Sequence, residues 1–144
     1  MQWMLLPLRR YAQFTGRARR KEYWLYILGL IIAFIIVSWL DAALGLGGSV
    51  DRYTVRGPGT FAAGYQSHGG WLTLLLALGT IIPTIAVGVR RLHDVDKSGW
   101  WILLSLIPLI GGLILLFFYV QPGTPGPNRF GPDPLAGEIV SNLG

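Results

Sequence analysis

The sequence contains no cysteine among its 144 residues, and it has few charged side chains. The lack of cysteine excludes disulfides, thiolate metal sites and cysteine nucleophiles. Only 13% of the residues are charged, whereas a soluble domain carries about 25%. Hydrophobic residues make up 52% of the chain and are collected in long blocks. This composition is typical of a membrane protein.

Charge is also missing from the interior of three apolar stretches, 23–40, 71–89 and 100–120. A membrane helix needs about 20 apolar residues to cross a hydrocarbon core of about 30 Å. The pattern therefore predicts an all-α integral membrane protein with three transmembrane helices, the first extended to about 23–42. The lack of ionisable residues inside the spans argues against a proton relay, a voltage sensor or an ion-coupled transporter.

The third span has a weak point at its centre, where Pro108, Gly111 and Gly112 lie close together. These residues predict a helix that is broken or kinked there. A kinked single pass is the simpler interpretation. A re-entrant hairpin of two half-helices, which would return the C-terminal tail to the cytoplasm, stays open as the alternative.

Basic residues predict the orientation of the spans. Nine of the 12 lysines and arginines lie before the first span or in the loop 90–99. The positive-inside rule then places the N-terminus and this loop in the cytoplasm, with the loop 45–70 and the C-terminus outside. The glycine-rich loop 45–70 is predicted to be flexible. Residues 1–134 are predicted to form a single membrane domain, followed by a tail at 135–144.

Two further elements follow from side-chain spacing. Residues 3–14 place Met4, Leu8 and Tyr11 on one helical face, which predicts a short interfacial helix. Small residues at helical spacing predict packing between spans, because they let helix backbones approach closely. The packing candidates are Gly29, Ala33, Ala77, Thr80, Thr84 and Gly88.

The stretch RRLHDVDKSGWW at 90–101 concentrates the polar chemistry of the chain. It offers too few ligands for a metal site and no nucleophile for a catalytic His–Asp pair. Its arginines suit phosphate and its tryptophans suit headgroup depth, so a lipid or partner site competes with a simple cytoplasmic turn. The candidate binding residues are Arg17, Arg20, Arg90, Arg91, His93, Trp100 and Trp101.

Three blocks carry a resemblance: FTGRARRKEYW (14–24), VRRLHDVDKSGWW (89–101) and PGTPGPNRFGPDP (122–134). In order and spacing they resemble the family catalogued as domain of unknown function 805. The resemblance implies a small bacterial inner-membrane protein with several spans. It implies no catalytic residues and no established activity.

The blocks also interleave acids with the basic residues, which a purely topogenic flank does not require. Glu22 and Asp94 are predicted to form a structural clamp at the helix bases, with Glu22 pairing Arg90 or Arg91 and Asp94 pairing Arg17 or Arg20.

The sequence thus favours a non-enzymatic module without metal or cofactor. Its basic excess suits anionic lipid headgroups or a membrane partner protein rather than nucleic acid. A subunit of a homo-oligomeric transporter or channel is the alternative. A lipid-headgroup enzyme that uses His93 and Asp94 is a third reading.

Overall fold

The structure is a computed structural model that describes residues 2–47, 49–68 and 70–136. The predicted tail at 135–144 lies almost entirely outside these residues. The chain forms two compact units: a basal unit, Met1–Gly29 with Ile81–Gly144, and a hairpin unit, Leu30–Thr80. In chain order the elements are α1 (Gln2–Arg9), α2 (Arg20–Leu44), β1 (Ser49–Gly57), β2 (Thr60–His68), α3 (Trp71–Asp94), a 3₁₀ helix (Gly99–Leu106) and α4 (Ile110–Val120).

Within the described residues, α2 and α3 are the two helices long and apolar enough to cross a membrane. Only 6% of the most apolar part of α2 and 28% of that of α3 is buried in the structure. The core helix of a soluble protein would be mostly buried, so these apolar surfaces suit lipid. The first two predicted spans are therefore confirmed as helices of membrane-crossing length. The second continues to Asp94, so RRLHD is the last turn of α3 and not part of a loop.

The third apolar segment is broken into two limbs. The 3₁₀ helix Gly99–Leu106 and α4, Ile110–Val120, are separated by a turn at 107–109. In this turn Leu109 has a φ of 63°, a value that residues with a side chain seldom adopt. The chain reverses here.

The two limbs pack against each other. The rings of Trp101 and Phe118 have centroids 5.5 Å apart. Gly111 lies so close to the carbonyl of Leu104 that a Cβ at this position would collide with it. Each limb is far shorter than the roughly 20 residues that cross a bilayer. The interpretation of a kinked single pass is therefore wrong, and the structure has the hairpin of two short helices.

The tail follows α4 and runs along the end of α3. The N–H of Thr124 donates to the carbonyl of Asp94 at 2.8 Å, and Nδ2 of Asn128 donates to the carbonyl of His93 at 2.8 Å. These contacts do not fit a tail that lies across the membrane from residues 90–99, and the side on which the C-terminus lies stays a prediction.

The hairpin unit differs from the flexible loop that the sequence predicts at 45–70. Strands β1 and β2 form an antiparallel hairpin over this region. Pro58 and Gly59 connect the strands, and Gly59 has a φ of +78°, the positive value that the second central residue of a type II turn needs. Tyr53 pairs with Gly64 and its ring covers that glycine. Gly59 thus allows the turn, and Gly64 allows the cross-strand contact with Tyr53. The glycine content of the segment does not by itself indicate either role.

Asp41 caps α3 within the hairpin unit. Its Oδ1 accepts the N–H of Leu72 at 3.0 Å, and its Oδ2 accepts the N–H and the hydroxyl of Thr73 at 2.8 and 2.7 Å. The first N–H groups of a helix lack hydrogen-bond acceptors within the helix. The carboxylate of Asp41 is the acceptor for two of these groups. Asp41 is fully buried. Asp41 is therefore part of the packed interior of the hairpin unit and not a solvated acid at the end of the first apolar stretch.

Candidate functional site

Asp94, the last residue of α3, lies at the centre of the polar end of the basal unit. Its Oδ1 accepts a hydrogen bond from Nε of Arg17 at 3.0 Å, and its Oδ2 accepts one from Nη1 of Arg91. All three side chains are buried. One carboxylate thus joins the segment before α2 to the end of α3.

The same two arginines hold the tail. Arg17 donates from Nη1 to the carbonyl of Gly126 and from Nη2 to that of Thr124, both at 2.6 Å. Arg91 donates from Nε to the carbonyl of Tyr119 at 3.2 Å and from Nη2 to that of Gln121. The planar guanidinium group, with its five N–H donors, suits this simultaneous binding of a carboxylate and several carbonyls.

A second ion pair lies beside the first. Glu22 in the first turn of α2 accepts a hydrogen bond from Nη1 of Arg90 at 2.7 Å, and both side chains are buried. The backbone joins the same elements, because the N–H of Ala18 donates to the carbonyl of Arg90 at 3.0 Å. Nε and Nη2 of Arg90 have no hydrogen-bond partner among the described residues.

We call Arg17, Glu22, Arg90, Arg91 and Asp94 the ionic network. Burying charges is costly, and removing one partner of a buried pair typically costs about 3–5 kcal/mol because the other charge is left uncompensated. The loss of any one member is therefore expected to destabilise the basal unit. It joins the bases of α2 and α3 and the tail.

His93 is placed by the tail and by the segment before α2. Its Nδ1 lies 3.2 Å from the carbonyl of Gly16, so Nδ1 carries the hydrogen of this bond. Its ring stacks on that of Phe130 at a centroid distance of 3.9 Å and an interplanar angle of 4°. Its backbone carbonyl accepts the bond from Asn128. His93 thus supports the packing of the tail.

A cavity of about 530 Å³ lies in the basal unit between the start of α2 and the tail. We call it the basic cavity. Its charged lining residues are Arg17, Arg19, Arg20, Lys21, Asp94 and Asp133. Four cationic and two acidic side chains give the lining a net positive charge.

Asp133 is the acidic group that the tail contributes to this lining. Its carboxylate accepts the N–H of Leu135 at 2.8 Å and that of Gly126 at 2.9 Å. These hydrogen bonds lower the pKa of Asp133, and it is therefore ionised at neutral pH. Asp133 thus stabilises the conformation of the tail by accepting hydrogen bonds from backbone N–H groups of the tail itself.

The residues that the sequence assigns to lipid or partner binding are divided between the interior and the surface. Arg17, Arg90 and Arg91 are buried and bind groups within the protein, so a role at an exposed face does not fit them as placed. Arg20 is exposed and lines the basic cavity. Trp100 is 78% exposed. The exposed candidates further include Trp101, and His93 is half-buried.

The structure brings some of the predicted packing residues into contact. Gly29 faces the side chain of Met4 in α1, since a Cβ there would lie 2.7 Å from its Cε. The hydroxyls of Thr84 and Tyr26 lie 3.0 Å apart and join α3 to α2.

The other packing candidates differ in their neighbours. A Cβ on Gly88 would lie 3.1 Å from the hydroxyl of Tyr119 in α4. Thr80 bonds within its own helix, to the carbonyl of Leu76 at 2.7 Å. Ala33 and Ala77 are half-buried within the hairpin unit. A single packing surface formed by all six small residues stays a prediction.

Sequence reasoning missed Arg19, Lys21 and Asp133 as neighbours around a cavity. The sequence explains the basic residues by the orientation of the spans and predicts no structure for residues 122–134. The signal that could have found them is the block PGTPGPNRFGPDP itself, because it is one of the three blocks that carry the family resemblance.

A family described as protein of unknown function, DUF805, matches residues 11–132. The chain belongs to this family. The match to DUF805 includes the whole ionic network and the tail as far as Pro132. No solved structure matches the chain.

Two relatives come from Escherichia coli strain K12. Inner membrane protein YhaH is 46% identical over 136 residues, which cover 93% of this chain and 97% of YhaH. Inner membrane protein YhaI is 40% identical over 137 residues, which cover 95% of this chain and 98% of YhaI.

Proposed function

We propose that the chain is a non-enzymatic protein of the bacterial inner membrane whose basal unit binds anionic lipid at the cytoplasmic surface. The names of YhaH and YhaI support the location. The two long, exposed apolar helices supply the membrane anchor. In this proposal the ionic network is scaffolding, and the exposed cations around it meet the lipid.

The distribution of charge carries the proposal. Ten of the 12 lysines and arginines belong to the basal unit. Arg9, Arg10, Arg20 and Lys21 are exposed. The tail adds Arg129 to this end of the chain, and a bias of this kind supports the proposed cytoplasmic position. Each exposed cation near an anionic leaflet contributes about 1 kcal/mol to attraction.

The enzyme alternative is less well supported. The carboxylate of Asp94 is held between two arginines, and Nδ1 of His93 faces the carbonyl of Gly16. The carboxylate is therefore not placed to accept a proton from a substrate, as a general base must be. His93 and Asp94 do not form the pair that the enzyme alternative requires, and Nε2 of His93 is the one nitrogen of the ring left to act as a base. The transporter alternative stays a prediction.

The test is the effect of lipid charge on the purified chain. In detergent, added phosphatidylglycerol should raise the Tm more than phosphatidylcholine, because a ligand of the folded state stabilises it. The difference should shrink as salt is raised from about 50 to 500 mM, because salt screens exposed charges. Equal Tm values with the two lipids at low salt would contradict the proposal. An acidic partner protein would then be the remaining occupant of the basic face.

A further inference from the structure

We infer that the basic cavity is the site at which the phosphate group of an anionic lipid is bound. This inference rests on the proposed function and says where in the basal unit the lipid headgroup is held. The cavity lies between residues 17–21 and the tail, and its volume of about 530 Å³ falls within the range of about 300–1,000 Å³ typical of small-molecule sites.

The inner wall of the cavity is fixed. Arg17 uses Nε, Nη1 and Nη2 on Asp94, Gly126 and Thr124. The other carboxylate oxygen of Asp94 accepts a hydrogen bond from Arg91. These groups form a preorganised wall and leave the binding of a ligand to the residues nearer the opening.

The groups available to a ligand are at the start of α2. Arg20 and Lys21 are exposed and line the cavity. Arg20 donates from Nη1 to the carbonyl of Val120 at 3.3 Å, so its position is guided while four further N–H groups remain for a ligand. A guanidinium and an ammonium group side by side are suited to the oxygens of a phosphate. Because both belong to the first turn of a long helix, its dipole also favours an anion there.

The opposite wall indicates what carries the phosphate. Pro122, Pro125, Pro134 and Leu135 line the cavity from the tail, and Leu135 is 50% exposed. An inorganic phosphate would leave this apolar wall unused. The carbon atoms of the glycerol backbone and the first acyl methylene groups of a lipid, attached to the phosphate, would cover this wall and gain from the burial of apolar surface. A lipid headgroup therefore fits both walls, and free phosphate fits only one.

The experiment compares two double variants with equal loss of charge. Arg20→Gln with Lys21→Gln removes the donors at the cavity. Arg9→Gln with Arg10→Gln removes two exposed cations of the N-terminal segment that do not line it. Each full-length chain is reconstituted in phosphatidylcholine nanodiscs, and binding of a fluorescent phosphatidylglycerol is titrated. The same chains are titrated with inorganic phosphate and with glycerol 1-phosphate.

The cavity variant should bind phosphatidylglycerol about tenfold more weakly. The Arg9/Arg10 variant should lose less than about half of its affinity, because neutral phosphatidylcholine discs present no anionic leaflet that would attract cations outside the cavity. Equal losses in both variants would overturn the cavity site but leave the proposed function standing. No preference of the unaltered chain for phosphatidylglycerol over phosphatidylcholine would overturn both. Binding of inorganic phosphate as tight as that of the lipid would overturn the assignment to a lipid. A circular dichroism spectrum identical to that of the unaltered chain shows that each variant is folded.

Discussion

Two buried aspartates stabilise the two units of this protein in different ways. Asp94 in the basal unit binds two arginine side chains, one of them 77 residues away. Asp41 in the hairpin unit binds two backbone N–H groups and one hydroxyl at the start of α3. The negative charge of Asp94 is compensated by arginine side chains, whereas that of Asp41 is compensated by the dipole at the start of α3.

The two aspartates differ in how much of the structure would be affected by the loss of the side chain. The partners of Asp94 also bind the carbonyls of the tail, so its loss would leave two buried cations and a loosened tail. The partners of Asp41 belong to one helix terminus, so its loss would leave unpaired groups only in the first turn of α3. A buried ionic network is therefore the more vulnerable device, and a cap the more tolerant one.

The largest effect is expected for Asp94→Asn. The amide keeps the shape of the side chain but leaves Arg17 and Arg91 buried without a negative partner. We expect the free energy of unfolding to fall by about 3–5 kcal/mol, measured by thermal denaturation in detergent with circular dichroism.

The matched control is Asp96→Asn, two residues further along. Asp96 pairs with Arg129 at 3.1 Å, but the two side chains are 47% and 62% exposed. Exposed pairs contribute about 0–1 kcal/mol. A loss at Asp94 no larger than that at Asp96 would show that the network does not stabilise the basal unit.

The sequence predicts one part of this comparison well. Charge-free stretches of 18 and 19 residues identify α2 and α3 without any tertiary information, because lipid imposes length and apolarity on each helix separately. The interleaving of Glu22 and Asp94 with arginines also indicates that acids and bases meet at the helix bases. Which arginine each acid binds is not determined, since Arg90 and Arg91 are adjacent in the sequence but leave the helix about 100° apart.

The remaining parts depend on contacts between distant residues. LIPLIGG is compatible with a kink or with a turn, and the close approach of Gly111 to the carbonyl of Leu104 decides for the turn. The position of the tail beside the end of α3 follows from this turn, so one local ambiguity decides where residues 122–134 lie. The β-hairpin was hidden for another reason, because its glycines lower the strand propensity that would have indicated it.

A smaller effect should distinguish Arg17 from Arg90, the first of the two consecutive arginines on α3. Arg17 uses all three of its nitrogens, whereas Arg90 uses only Nη1, on Glu22. Lysine supplies one point charge and cannot reproduce a fork. We expect Arg17→Lys to cost about 1.5–3 kcal/mol and Arg90→Lys clearly less.

Protease sensitivity of the tail gives a second measurement for this pair. Arg17→Lys should speed cleavage beyond residue 121, because Gly126 and Thr124 lose their donors. Arg90→Lys should not, since no bond from its side chain to the tail is described. Equal cleavage rates in both variants would mean that Arg17 does not hold the tail.

The smallest effect belongs to the hairpin unit and tests whether its cap behaves as a local device. Thr73→Val removes one of the three hydrogen bonds to Asp41 and keeps the shape of the side chain, so about 1 kcal/mol should be lost. Thr80→Val in the same helix is the control, because its hydroxyl bonds only to carbonyls of its own helix, Leu76 and Ala77, which keep their backbone partners. Hydrogen exchange should show faster exchange at the first turn of α3 in Thr73→Val and unchanged protection of the basal unit. If the basal unit also exchanged faster, the cap would not be local, and the contrast between the two aspartates would fail.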